Sequence, residues 1–225
     1  MARQDYQSQL DELRRDVLYM SEVVLDRLRM GLDALETKDE ELAMDVIRGD
    51  HEVNELYLDL EQDCIDLLAL QQPVASDLRF IAASFKIITD LERIADLATN
   101  LGEYAIEAER DAYPEVDIQG IGDATMAMVE DAMEAYGRDD VERTYQIAER
   151  DDRIDERCED ASRVILTDLL QAELDSDDDE AVERTFRDVS RMLLTIRDLE
   201  RVGDHAVNIA ARTLYMVESD DELIY

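Results

Sequence analysis

Carboxylates and amides recur in this chain at a spacing suited to holding a cation. Residues 90–100 read DLERIADLATN, and residues 198–208 read DLERVGDHAVN. Each string sets Glu, Asp and Asn four apart: Glu92, Asp96 and Asn100 in the first, Glu200, Asp204 and Asn208 in the second. On an α-helix a step of four is about 6 Å along the axis and about 40° around it, so each set forms a column of oxygen ligands. A second, shorter row precedes each string, Asp50 with Asn54 and, in the later copy, Asp151 with Asp155. Where two such rows face each other across a groove, they repel unless a cation sits between them. Oxygen-only donors favour a hard cation, so Mg²⁺, Mn²⁺, Ca²⁺ or Fe³⁺ fits. Zinc fits poorly, because no Cys or His recurs in the repeat.

Arg93 and Arg201 follow the Glu in both strings. They serve either to recognise a partner or an anion, or to balance the neighbouring acids as ion pairs. His51 and His205 each adjoin a row but are not equivalent positions, and a helical neighbour points to another face, so neither is expected as a ligand. Signatures of catalysis are missing: the chain has no GxxxxGK[ST], no GxGxxG, no HExxH and no paired Glu-x-x-His. Met126, Met128 and Met133 read as packing residues. The chemistry on view is binding.

These rows need helices to carry them. With 7 Gly and 2 Pro in 225 residues, and long apolar periodicity, the chain reads as all-α. Leu10, Leu13, Val17, Met20, Val24, Leu28 and Leu32 keep helical spacing through 5–36. A second helix opens near Lys38-Asp39 and stops at Gln72, because Pro73 disfavours the α conformation before it. A third runs from Leu78 to about Glu109, after a turn over Pro73–Asp77. Pro114, Gly120 and Gly122 then mark a junction. Helices resume over 121–136, 139–172 and 180–217, with an acidic loop at 173–180. The halves align at an offset of 101 positions around Asp50 and of 108 around Asp90. Residues 1–110 and 117–225 are therefore expected to be two tandem antiparallel three-helix bundles crossing at roughly 20°, each with its own core.

The formal charge is −36, from 59 acidic against 23 basic residues, only two of them lysine (Lys38 and Lys86). Yet 46% of the chain is hydrophobic, which makes it a folded protein. Self-repulsion on this scale needs abundant counterions, as in a halophile's salt-rich cytoplasm. Direct binding to nucleic acid or to an anionic membrane is not expected, since no cluster of Lys and Arg stands out. Cys64 and Cys158 form no CxxC and read as reduced, buried thiols. The start, MARQDYQSQL, has no apolar signal core, so a cytoplasmic location is expected.

Residues 73–100, PVASDLRFIAASFKIITDLERIADLATN, together with the duplicated DLER–D–N string, strongly resemble the PhoU family. The resemblance covers nearly the whole chain. It implies two tandem three-helix bundles, metal clusters on the acidic helix faces and a homodimer. It further implies a regulatory accessory protein that dampens phosphate uptake and phosphate-responsive gene expression. The implied contacts are the ATPase subunit of a phosphate ABC transporter and, in bacteria, a sensor kinase. Carried over residue by residue, the motif covers Glu92, Asp96, Glu200 and Asp204, then Asp50, Asp151 and Asp155. The first half has PVASDLR where the second has EAVERTFRDVS. Two other readings use the same acidic faces: an accessory protein of a different phosphate permease, and a metal-dependent phosphohydrolase.

Overall fold

Apolar side chains at helical spacing assemble six helices among the described residues. The computed structural model describes residues 2–70, 73–108, 113, 115–175 and 179–223. The helices are α1 (Ala2–Thr37), α2 (Glu40–Leu70), α3 (Ala75–Glu107), α4 (Ile118–Arg138), α5 (Val141–Asp175) and α6 (Asp179–Glu218). The chain is all-helical, as its periodicity predicts. The expected stop at Gln72 lies outside the described residues.

Two starts differ from expectation, each for a local reason. Helix α3 begins at Ala75, inside the anticipated turn, because the Asp77 carboxylate accepts from the Val74 N–H at 3.4 Å and satisfies an orphan donor of the first turn. Helix α4 begins at Ile118 and includes both glycines of the expected junction, Gly120 and Gly122. Asp117 caps it, accepting from the Gly120 N–H at 2.9 Å. A side chain at Gly120 would collide with that carboxylate, and one at Gly122 would collide with Leu32. Here glycine serves close approach rather than chain reversal. Helix α5 extends to Asp175, which shortens the acidic loop; residues 176–178 lie outside the described set.

Helices α1–α3 pack on one another, and so do α4–α6. The halves do not keep separate cores, however. Helix α3 lies antiparallel against α6 and α1 against α4, and one buried cluster runs from Tyr6 and Leu10 of α1 through Ile87 and Leu91 of α3 to Leu199 and Ile209 of α6. The expectation of two closed cores is corrected: the faces of α3 and α6 left over from each bundle bury each other. Arg14 stitches the second seam. Its guanidinium lies 4.9 Å from the Phe80 ring centre, donates to the Tyr136 carbonyl at 2.8 Å and pairs with Asp139 at 2.8 Å, which closes the C-terminus of α4. Helices α2 and α5 stay outside, each touching only its own half. The motif-bearing helices α3 and α6 are thus the centre of the molecule.

Candidate functional site

Each half brings its rows of acids together where its outer helix meets its motif helix. In the second half, α5 supplies Asp151 and Asp155, and α6 supplies Glu200 and Asp204. Burial, then the charges of Asp155 and Asp204, push the Asp151 carboxyl up to about 7. Burial, then Asp204 and Asp152, raises Asp155 as well, and burial, then Asp155 and Asp204, raises Glu200. One Asp151 oxygen, Oδ1, is buried with no hydrogen-bond partner. It packs close to Gly203 of α6: a Cβ there would lie 3.1 Å from that oxygen, a tight contact. An orphaned, buried carboxylate oxygen among three further acids is the donor set that a hard cation satisfies.

The first half repeats the plan with more compensation. Burial and the nearby Asp96 raise Asp50, while Asn54, donating to Asp50 Oδ2 at 2.7 Å, pulls the other way. Burial, then Asp96, raises Glu92. Arg93 folds back over its own row, 3.4 Å from Glu92 and 3.1 Å from Asp96. Its counterpart Arg201 leaves the second row and sits 3.8 Å from Asp198. Of the two roles read for these arginines, the geometry displays the ion pair. Among the described residues, no three His, Cys, Asp or Glu side chains are arranged as metal ligands. The donor chemistry suits a hard cation, while the side chains are not arranged as its ligands.

Asn100 and Asn208 do not join the rows. A second step of four adds a further 40°, so each Asn stands about 80° around the helix from its Glu and faces the opposite half. The Asn100 amide donates to Asp198 Oδ2 at 2.9 Å, and the Tyr104 hydroxyl donates to the same oxygen at 2.9 Å. Reciprocally, the Asn208 amide donates to Asp90 Oδ1 at 3.3 Å, with His205 Nδ1 at 2.9 Å. The first Asp of each repeated string is thus gripped by the other half. Asp198 is fully buried and also held by Arg197 at 3.0 Å. Burial and the Asp198 carboxylate push the Tyr104 phenol up to about 12. This clasp was missed in the sequence, although Asp90 and Asp198 open both strings. His205 points away from its own row, as expected, but into the clasp.

The family model for the PhoU domain matches residues 17–105 and 118–213. The chain belongs to the PhoU family. It is 33% identical over 221 residues to a phosphate-specific transport system accessory protein PhoU homolog of Pseudomonas putida, covering 97% of this chain and 82% of that one. The crystal structure of PhoU from Pseudomonas aeruginosa superposes with a TM-score of 0.85 at 30% identity, over 96% of this chain and 100% of that one. The phosphate transport system regulatory protein PhoU from Streptococcus pneumoniae follows at 0.84 and 27%, over 96% and 98%. In PhoU terms, the two matched segments divide between α3 and α4, so the clasp joins the two PhoU repeats.

Charge is unevenly distributed along α6. Three arginines of α6, Arg184, Arg187 and Arg191, gather along a single cleft of about 700 Å³. The repeat duplicates one of the three: the positions 108 earlier are Ser76, Arg79 and Ala83.

Proposed function

We propose that this chain is a regulatory accessory protein of phosphate uptake that acts by contact and without turnover. The observation that carries the reading is the family match over both repeats, with relatives named as accessory proteins of phosphate-specific transport systems. On this reading the chain restrains a phosphate ABC transporter through its ATPase subunit and phosphate-responsive signalling through a sensor kinase. It works in the cytoplasm as a homodimer and reaches the membrane only through its partners. Consistent with that, among the described residues no helix is long and apolar enough to cross a membrane.

Asp151, Asp155, Glu200 and Asp204 would hold a hard cation such as iron, manganese, magnesium or calcium, and Asp50, Asn54, Glu92 and Asp96 a second. A bound cation supplies charge neutralisation between the outer helix and the motif helix, and so fixes the face offered to a partner. The orphaned Asp151 oxygen supports this for the second repeat. Co-purification of the transporter ATPase from high-salt lysate tests the role. Wild type is expected to recover it, and the Glu200→Ala/Asp204→Ala variant to recover much less while keeping its helical spectrum. Failure of the wild type to recover the ATPase refutes the role; equal recovery by both proteins separates the acid rows from partner binding.

A further inference from the structure

The cleft between the end of α3 and the first half of α6 lies apart from the acid rows and meets the clasp at Tyr104. It is lined by Tyr104, Arg184, Phe186, Arg187, Arg191 and Leu194, among others. We propose that this cleft binds a nucleotide, with its phosphates on Arg184 and Arg187 and its base on Phe186.

Charge comes first. Arginine in this chain is mostly spent on neighbouring acids, as with Arg27, Arg143, Arg150 and Arg163. In the cleft, Arg191 is committed in the same way: it pairs with Asp188 at 2.7 Å and donates to the Glu107 carbonyl at 3.1 Å, tying α6 to the end of α3. Arg184 reaches Glu180 only at 4.0 Å, and both side chains of that pair are open to solvent. Arg187 has no ionic or hydrogen-bonded partner among the described residues. Two guanidinium groups one helical turn apart, beside a third already fixed, suit the oxygens of adjacent phosphates, which accept their forked donors.

Size and shape then choose among phosphate-bearing anions. A cleft of about 700 Å³ falls within the range of sites for molecules larger than a bare phosphate. Phe186 is 58% exposed at its edge, whereas Phe80 is buried in the core. An exposed aromatic ring sharing a cleft with Arg187 and the loosely paired Arg184 can stack a base while the phosphates are held. Packing does not require it, since Arg184, Phe186 and Arg187 are all exposed. Nor does the repeat: the first half carries Ser76, Leu78 and Arg79 at these positions, and there the arginine is turned to the Met216 carbonyl at 3.4 Å. The site is a property of the second repeat alone. Tyr104, one of its lining residues, also donates to Asp198, so an occupant would adjoin the clasp.

Binding of ATP and of pyrophosphate, measured by equilibrium dialysis in molar potassium chloride, tests the proposal. Wild type is expected to take up one ATP per chain. The Arg184→Ala/Arg187→Ala variant should lose affinity by about tenfold or more, because two charged contacts are removed. Phe186→Ala should weaken ATP and leave pyrophosphate unchanged. All these side chains are exposed, and an unchanged helical spectrum confirms that the variants fold. Absence of saturable ATP binding by wild type overturns the proposal, as does equal binding by the arginine variant. Pyrophosphate binding as tight as ATP, with no effect of Phe186→Ala, overturns the assignment to nucleotides.

Discussion

Asn in place of Asp151 should stabilise the metal-free protein above neutral pH and change little near pH 4. Burial and neighbouring acids lift this carboxyl from the ordinary 3.8 to about 7. A group raised on folding favours the fold while it stays protonated, so its contribution is complete below about pH 4 and is lost as pH climbs through about 7. Three units at about 1.4 kcal/mol each set a ceiling of about 4 kcal/mol. Solvent screening at a partly exposed position brings that down to about 2 kcal/mol. Asn has the same shape and no charge to bury, so it escapes this loss. For a chain of this size the gain corresponds to a melting point higher by about 4–8 °C at pH 8.

The assay is thermal melting by circular dichroism from pH 4 to 8.5, in fixed molar salt with a chelator. The quantity to read is the difference between variant and wild type, because the other raised carboxylates contribute to both. A difference that does not grow with pH would refute the electrostatic account of Asp151. Manganese should then reverse the order at pH 8, since a cation that binds only the folded wild-type site stabilises it by mass action.

Asp198→Ala should destabilise the chain by about 3–5 kcal/mol, as it removes a buried charge and strands its partners. Asn100, Tyr104 and Arg197 all lose a hydrogen bond; a melting curve superposable on wild type would deny the clasp any energetic role. Arg93→Gln should tighten cation binding at the first repeat by freeing Glu92 and Asp96, whereas Arg201→Gln should leave the second repeat unaffected. Melting point against manganese concentration distinguishes the two, and equal responses would contradict the assigned pairs. Lowering the salt from molar to millimolar should abolish the helical spectrum, since the Debye length grows from about 3 Å at 1 M to about 30 Å at 0.01 M. A spectrum and melting point unchanged along a salt series would show that the −36 charge is tolerated without screening.

The helices were legible because each buries a stripe whose period is local: Leu10, Leu13, Val17 and Met20 announce α1 without reference to anything else, and all are buried. The acid rows were legible because their repetition at matching places carries the signal. Partnerships across the halves were hidden. Asn100 looks like the third member of its row until the 40° drift per step and the proximity of Asp198 are both known, and the second is a tertiary fact. Gly120 and Gly122 read as breakers because the sequence does not display Asp117 or Leu32 beside them. The arginine spacing of Arg184, Arg187 and Arg191 was in plain view, but the whole-chain charge concealed it.

The two repeats share the letters DLER yet arrive at different electrostatics, and the difference traces to few positions. His205 occupies the place of Leu97, and Arg197 the place of Thr89. His205 reaches across to Asp90, so Arg93 has no claim there and lies over its own acids instead. Asp198 has no such imidazole; it sits at the end of Asn100 and Tyr104 and draws Arg197 and Arg201 to itself. Once Arg201 is drawn off, its own row has no such arginine folded over it. Burial beside α6, close to Gly203, then strands one Asp151 oxygen within that row. A clasp that holds the halves together therefore also decides which row lacks a compensating arginine. By this logic the second repeat, and not the first, has the stronger demand for a cation.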